Sequence, residues 1–153
     1  PNAVQFPLLD GNSCIDPDQI LPENHRIILA VGRLSPEKGF DMLVKAFGQI
    51  ASSHSGWDLV ILGEGNERKN LLSEISDMGL SDRIFLPGSA GNISQWYERA
   101  ELFVMSSRFE GFPCTLIEAM AHRLAVVSFD CDTGPRDIIR HEVGLNIVSV
   151  NKR

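Results

Sequence analysis

Cysteine is scarce: Cys14, Cys114 and Cys131 are three in 153 residues, odd in number, far apart and without a C-x-x-C pair. That excludes a disulfide scaffold and reads as reduced thiols in a cytoplasmic protein. Positive charge is in deficit, 14 Lys and Arg against 20 Asp and Glu for a net charge of -6. Nucleic-acid binders present a clustered excess of Lys and Arg, so phosphate-backbone binding is not the main activity expected here. No apolar run approaches the roughly 18 residues that a membrane-spanning helix needs. The chain opens on Pro1-Asn2-Ala3-Val4, with neither Met nor a charged-then-apolar signal segment, and is therefore expected to be processed or a piece of something longer. There is no internal repeat and no low-complexity tract. His25, His54, His122 and His141 lack the spacing of a metal-ligand set and read as ordinary surface or helix-end residues, so no metal and no cofactor is expected. What remains, 43% hydrophobic and 22% charged, is the composition of one ordinary soluble domain. A chain of this length buries roughly 70% of its unfolded surface and holds a core without a disulfide or metal staple.

Residues 1–25, rich in Pro, Asn, Asp and Gly, show neither helical nor strand period and read as a linker or lead-in. From Arg26 a regular alternation begins. Short apolar runs, Ile27 to Val31, Leu59 to Leu62, Ile84 to Leu86, Leu102 to Met105, Ala125 to Phe129 and Leu145 to Val148, are separated by helical patterns. Most are continuously apolar, as strands covered on both faces are. Phe40, Leu43, Val44, Phe47, Ile50 and Ala51 keep the period of an amphipathic helix with Asp41, Lys45 and Gln49 facing out. Leu71, Leu72, Ile75 and Met78 do the same before Gly79, a helix stop. Shorter helices are expected at about Ile93 to Ala100, Pro113 to Ala121 and Pro135 to Arg140. The fold class that follows is α/β: a Rossmann-like, doubly wound parallel sheet of about six strands, helices on both faces and right-handed crossovers.

In such a sheet ligands bind outside the carboxyl ends of the strands. Glycines, hydroxyls and charges collect after five of the runs: Gly32-Arg33, Gly63-Glu64-Gly65, Pro87-Gly88, Ser106 to Gly111 and Asp130 to Gly134. Tight turns account for any one of them; five on one edge point to a ligand site. The stretch Gly32 to Gly39 combines Arg33, Lys38 and a helix start, which suits a diphosphate, although the two cations could equally be a solvated pair. It matches neither G-x-G-x-x-G nor G-x-x-x-x-G-K-[ST]. Pro113 is expected as the first helical residue, leaving the N–H groups of Gly111 and Phe112 free. Glu118 follows in the apolar run Leu116 to Ala121, where a buried carboxylate needs a cation or hydrogen-bond donors, unless it points to solvent. Glu110 occupies the strand-to-helix turn, where it can accept from sugar hydroxyls.

Gly32-Arg33 with Lys38-Gly39, then Glu110-Gly111-Phe112-Pro113 with a second Glu eight positions on, resembles the nucleotide-sugar-binding half of a retaining glycosyltransferase of family 4, one half of a GT-B fold. The resemblance runs from about Arg26 to Val148 and includes Leu62 to Gly65, Phe85 to Gly88 and Thr133 to Ile139 before Gly144-Leu145. The last stretch is similar to bacterial transferases that move hexoses or acetamido-hexoses from UDP in surface-polysaccharide or lipid-linked oligosaccharide assembly. Asp132 departs from them, where many have Pro.

The resemblance implies roles. Catalysis would rest on Arg33 and Lys38, which hold the donor diphosphate, and on Glu110, which binds the transferred sugar with the backbone of Gly111 and Phe112. Cys114 and the N–H groups of Thr115 and Leu116 would face the phosphates, Glu118 the ribose hydroxyls, and Gly32 and Gly63 would flank the nucleotide. The loop Leu86-Pro87-Gly88 would read the base. It further implies a donor-binding domain over residues 26–153, residues 1–25 leading in from an acceptor-binding half before Pro1, and a closing helix after Arg153. The partners would be a nucleotide-sugar donor and a glycan or lipid-linked acceptor, with peripheral membrane association of the full-length protein at the inner face of the cytoplasmic membrane. A nucleotide-sugar epimerase of the same fold, or a non-catalytic nucleotide-binding module, remains the alternative.

Overall fold

The computed structural model describes residues 8, 11, 13–131, 134–138 and 148–150. In chain order these form α1 (Pro17–Ile20), β1 (Arg26–Val31), a 3-10 turn (Pro36–Lys38), α2 (Phe40–Ile50), β2 (Trp57–Leu62), α3 (Arg68–Asp77), β3 (Ile84–Gly88), α4 (Ile93–Arg99), β4 (Leu102–Met105), α5 (Cys114–Ala121), β5 (Ala125–Phe129), α6 (Pro135–Ile138) and β6 (Val148–Val150). Five strands of four to six residues carry the sheet, and the three-residue β6 adds to its edge. The order is β3-β2-β1-β4-β5-β6, every pair parallel. This is the α/β, Rossmann-like architecture that the alternating runs predict.

Strand period explains the two covered faces. Ile27 and Leu29 of β1, with Val60 and Leu62 of β2, point to one side and pack with Trp96, Tyr97, Leu116 and Ala119 of α4 and α5. Ile28 and Ala30, with Leu59 and Ile61, point to the other and meet Phe40, Leu43, Val44 and Phe47 of α2 and Leu71 and Ile75 of α3. Each Val, Leu, Ile and Phe among them contributes about 1.5 to 3 kcal/mol on burial. Leu72 and Met78, expected on the α3 stripe, are exposed, because Leu71 and Ile75 already fill the contact with the sheet.

Among the described residues before Arg26, those from Ile15 to Leu21 are ordered by capping and packing although the sequence there shows no period. Asp16 caps α1 through its side chain, Leu21 is buried at 5% exposure, and the Ile15 carbonyl accepts from Trp96 Nε1 at 3.0 Å. A run without period can still pack where its few apolar residues find a groove. At the amino edge of the sheet Asp58 is fully buried, yet accepts from Arg83 Nε at 2.8 Å and lies 2.7 Å from His25 Nδ1. The predicted run from Leu145 falls outside the described residues up to Val148, as do Asp132, Thr133 and His141; the strand described there is Val148–Val150.

Candidate functional site

The strand order reverses between β1 and β4, where the middle of β1 pairs with the start of β4, Ile28 with Leu102 and Leu29 with Phe103. A crevice is expected beyond the carboxyl ends at such a reversal. The loops that follow these two strands are fastened together there. Ser106 Oγ donates to the Lys38 carbonyl at 2.9 Å, and the Arg108 N–H donates to the Glu37 carbonyl at 2.7 Å. Gly39, at φ +64°, ends the 3-10 turn and opens α2, and a Cβ on it would run into the Ser106 carbonyl oxygen. Only glycine allows both that conformation and that approach.

Lys38 is thereby directed across the reversal. Its Nζ lies 2.6 Å from Glu110 Oε1, with the side chains 24% and 8% exposed, and Ser107 Oγ donates to the same oxygen at 2.6 Å. Arg33 is exposed, its guanidinium making no hydrogen bond or ion pair among the described residues. The Ser35 hydroxyl first, and the charges of Arg33 and Lys38 after it, hold the Glu37 carboxyl below its ordinary range. Behind these groups Arg108 bonds both oxygens of Asp41 at 2.8 Å and the Pro36 carbonyl at 2.7 Å. Asp41, expected to face solvent from α2, is thus half of a clamp, and Arg108 holds its carboxyl below the usual carboxylate range.

Beside this cluster a cleft of about 460 Å³ opens over β1, β2 and β3, lined by Val31, Gly32, Arg33, Leu62, Gly63, Glu64, Ser89, Ala90 and Ile93. Gly63, at φ +144°, lets the second loop close on the first, since a Cβ would strike the Gly32 carbonyl oxygen. Leu86, Pro87 and Gly88 form the end of β3 rather than a loop: the Leu86 side chain is buried and its carbonyl accepts from Arg68 Nη2 at 2.7 Å. The side chains that line the cleft on that side are those of Ser89, Ala90 and Ile93.

Helix α5 begins one residue later than expected, with Pro113 as N-cap. Gly111 and Phe112 are exposed before it. The Cys114 N–H donates to the Phe112 carbonyl, and Leu116 and Ile117 donate to Pro113, which leaves Thr115 as the one of the first four N–H groups without an acceptor among the described residues. The Leu116 side chain belongs to the core. Among the described residues Glu118 meets no cation; Tyr97 donates its hydroxyl to Oε2 at 2.9 Å. Burial first, and the Glu118 charge next, push the Tyr97 phenol far above its ordinary value.

The structure therefore brings Lys38 and Glu110 together, places Arg33, Gly32 and Gly63 along one cleft, and sets Glu118 on the adjoining helix. Ser107, Asp41, Arg108 and Tyr97 were not singled out from sequence as site residues. Tyr97 carried one available signal, as the single tyrosine of the chain within the helix expected at about Ile93 to Ala100. Among the described residues no helix is long and apolar enough to cross a membrane.

Comparison with known proteins shows the family and the fold. The family model described as glycosyl transferases group 1 matches residues 15–152. The amylovoran biosynthesis glycosyltransferase AmsD of Erwinia amylovora is 34% identical over 82% of the chain and 35% of its own length. The pneumococcal O-GlcNAc transferase GtfA, solved with UDP and GlcNAc, superposes with a TM-score of 0.74 at 28% identity, over 92% of this chain and 27% of that one. The C-terminal domain of a group 1 glycosyl transferase, LpcC, from Francisella tularensis shares the fold with a TM-score of 0.74 at 24% identity, over 93% of this chain and 77% of that one. The chain thus spans little more than a third of AmsD and of the curated glycosyltransferase of Haemophilus influenzae, of which it covers 38%.

Proposed function

Because this chain belongs to the glycosyl transferases of group 1, we propose that it is the donor-binding domain of a retaining enzyme of glycosyltransferase family 4. The enzyme moves a hexose or N-acetylhexosamine from a nucleotide diphosphate sugar, UDP-linked, to a glycan or lipid-linked acceptor. The observation that carries the reading is the meeting of Lys38 and Glu110 at 2.6 Å over the β1/β4 reversal, with Glu118 on the helix that starts from the same loop. UDP in the complex of the pneumococcal relative supports the choice of nucleotide.

In this reading Arg33 and Lys38 grip the diphosphate and stabilise the negative charge that grows on it as the glycosidic bond breaks. Stabilising charge that develops in the transition state lowers the barrier without a matching gain in ground-state binding. The Thr115 N–H and the Cys114 end of α5 face the phosphates. Glu110, held by Ser107 and Lys38, accepts from hydroxyls of the transferred sugar beside the Gly111 and Phe112 backbone, and Glu118 accepts from the ribose. The ribose and base extend along the cleft past Gly32 and Gly63 toward Ser89 and Ala90. The acceptor is bound by a part of the enzyme outside this chain, working in the cytoplasm at the inner face of the membrane.

Calorimetric titration with UDP tests the reading. Glu118→Gln is expected to lower affinity about tenfold or more, the worth of one charged hydrogen bond. Unchanged affinity in that variant, or no UDP binding by the unaltered chain, overturns the assignment. The chain alone is expected to transfer no sugar, and turnover in a radiolabelled-donor assay would refute the placing of the acceptor site elsewhere.

A further inference from the structure

Glu118 sits on an apolar helix and makes no ion pair among the described residues. Its side-chain donor there is Tyr97, whose hydroxyl lies 2.9 Å from Oε2 and 3.3 Å from the Thr115 carbonyl. That ring has no freedom to look elsewhere. It is 0% exposed, lies 6.0 Å from the Phe103 ring between centroids, and is stacked at 5.0 Å by His122. His122 is itself tied to the same helix, its Nδ1 being 2.8 Å from the Glu118 carbonyl, which can only accept. A buried hydroxyl surrounded by hydrocarbon must spend its proton on the acceptors within reach, and here both belong to α5.

We propose that Tyr97 is a positioning residue for donor recognition: it holds one oxygen of the Glu118 carboxylate so that the other is presented, already oriented, to the vicinal hydroxyls of the ribose. The inference rests on the donor-binding reading and adds to it a residue that touches no ligand. Without the phenol, the Glu118 carboxylate rotates among rotamers and must be ordered at the moment of binding, a cost that preorganisation removes. The phenol stays a donor at physiological pH because burial and the neighbouring carboxylate both oppose its ionisation.

Two nucleotides separate this role from mere support of the fold: UDP, and a 2′,3′-dideoxy analogue that lacks the hydroxyls Glu118 is to bind. Tyr97→Phe is expected to weaken UDP about fivefold, the worth of one ordinary hydrogen bond, and to leave the analogue unchanged. Tyr97→Phe in a Glu118→Gln background is expected to cost nothing further, since the two act as one unit. Wild-type UDP affinity in Tyr97→Phe while Glu118→Gln is impaired overturns the inference, and so does an equal loss for UDP and the analogue. A measurement on the unaltered sequence covers the case in which Tyr97→Phe does not fold. As the chain has one tyrosine, a fluorotyrosine label reports Tyr97 alone. Its resonance should shift on adding UDP and stay in place with the analogue; a resonance unmoved by bound UDP overturns the proposal. Failure of the unaltered chain to bind UDP removes the donor-binding reading itself, a result distinct from all of these.

Discussion

Asp58 shows how much one buried side chain can carry far from the ligand edge. It has no exposure, yet its two oxygens are matched to Arg83 and His25, and Arg83 also donates to the carbonyls of His54 and Trp57. Asp58→Ala leaves the guanidinium without its counter-charge in a mostly buried place, and about 3 kcal/mol of stability should be lost in urea unfolding, with UDP affinity retained at temperatures where the variant is folded. Full stability in that variant would show the cluster to be solvated. At the other edge Glu110 is placed by Ser107 as much as by Lys38. A reading that names only charged residues misses such hydroxyls, because Ser after a strand is also what a plain turn needs.

Among the elements, the two loops at the sheet reversal behave as one piece through the Arg108 to Asp41 pair and the Ser106 to Lys38 bond. The Asp41 carboxyl is held below its ordinary value of 3.8 by Arg108. A carboxyl depressed in the folded state adds stability that is fully present above the unfolded value and fades as pH falls through the folded one. The unaltered chain should therefore exceed Asp41→Asn in stability at neutral pH, and the gap should close below about pH 4. Both partners are partly exposed, so the gap is small; urea unfolding at stepped pH measures it, and a gap that widens in acid would contradict the pairing.

Helices and strands were legible because continuous apolar runs and a 3.6-residue stripe are local signals: α2 begins at Phe40 and β4 runs from Leu102 to Met105 as expected. The pairing of Arg108 with Asp41, and of Tyr97 with Glu118, links positions far apart in sequence, and no local period records it. The packing of residues before Arg26 was illegible for the same reason. Pro87 and Gly88 were read as a turn after the run Ile84 to Leu86, whereas they close the strand, whose neighbour β2 shifts register between Val60 and Leu62.

Over the whole molecule, a net charge of -6 should repel a nucleotide, while the proposed site sets Arg33 and Lys38 beside a helix start. The two fields make opposite demands on salt. If the distant charge dominated, screening would strengthen UDP binding; with the local cations dominant, raising salt toward and beyond about 0.1 M should weaken it, over a screening length of about 10 Å. Titrations across ionic strength decide the sign, and tighter binding in salt would remove Arg33 and Lys38 from the diphosphate.

The ion pair across the sheet reversal has a consequence for selectivity. Lys38 is paired with Glu110, whose side chain is 8% exposed, so a phosphate that draws Lys38 away leaves that carboxylate to Ser107. In the proposed reading the full donor meets both partners, phosphate oxygens at the lysine and sugar hydroxyls at the glutamate. The site then favours a ligand that carries both groups. UDP supplies the phosphate oxygens alone, so the sugar-bearing donor is expected to bind more tightly than UDP in side-by-side titrations.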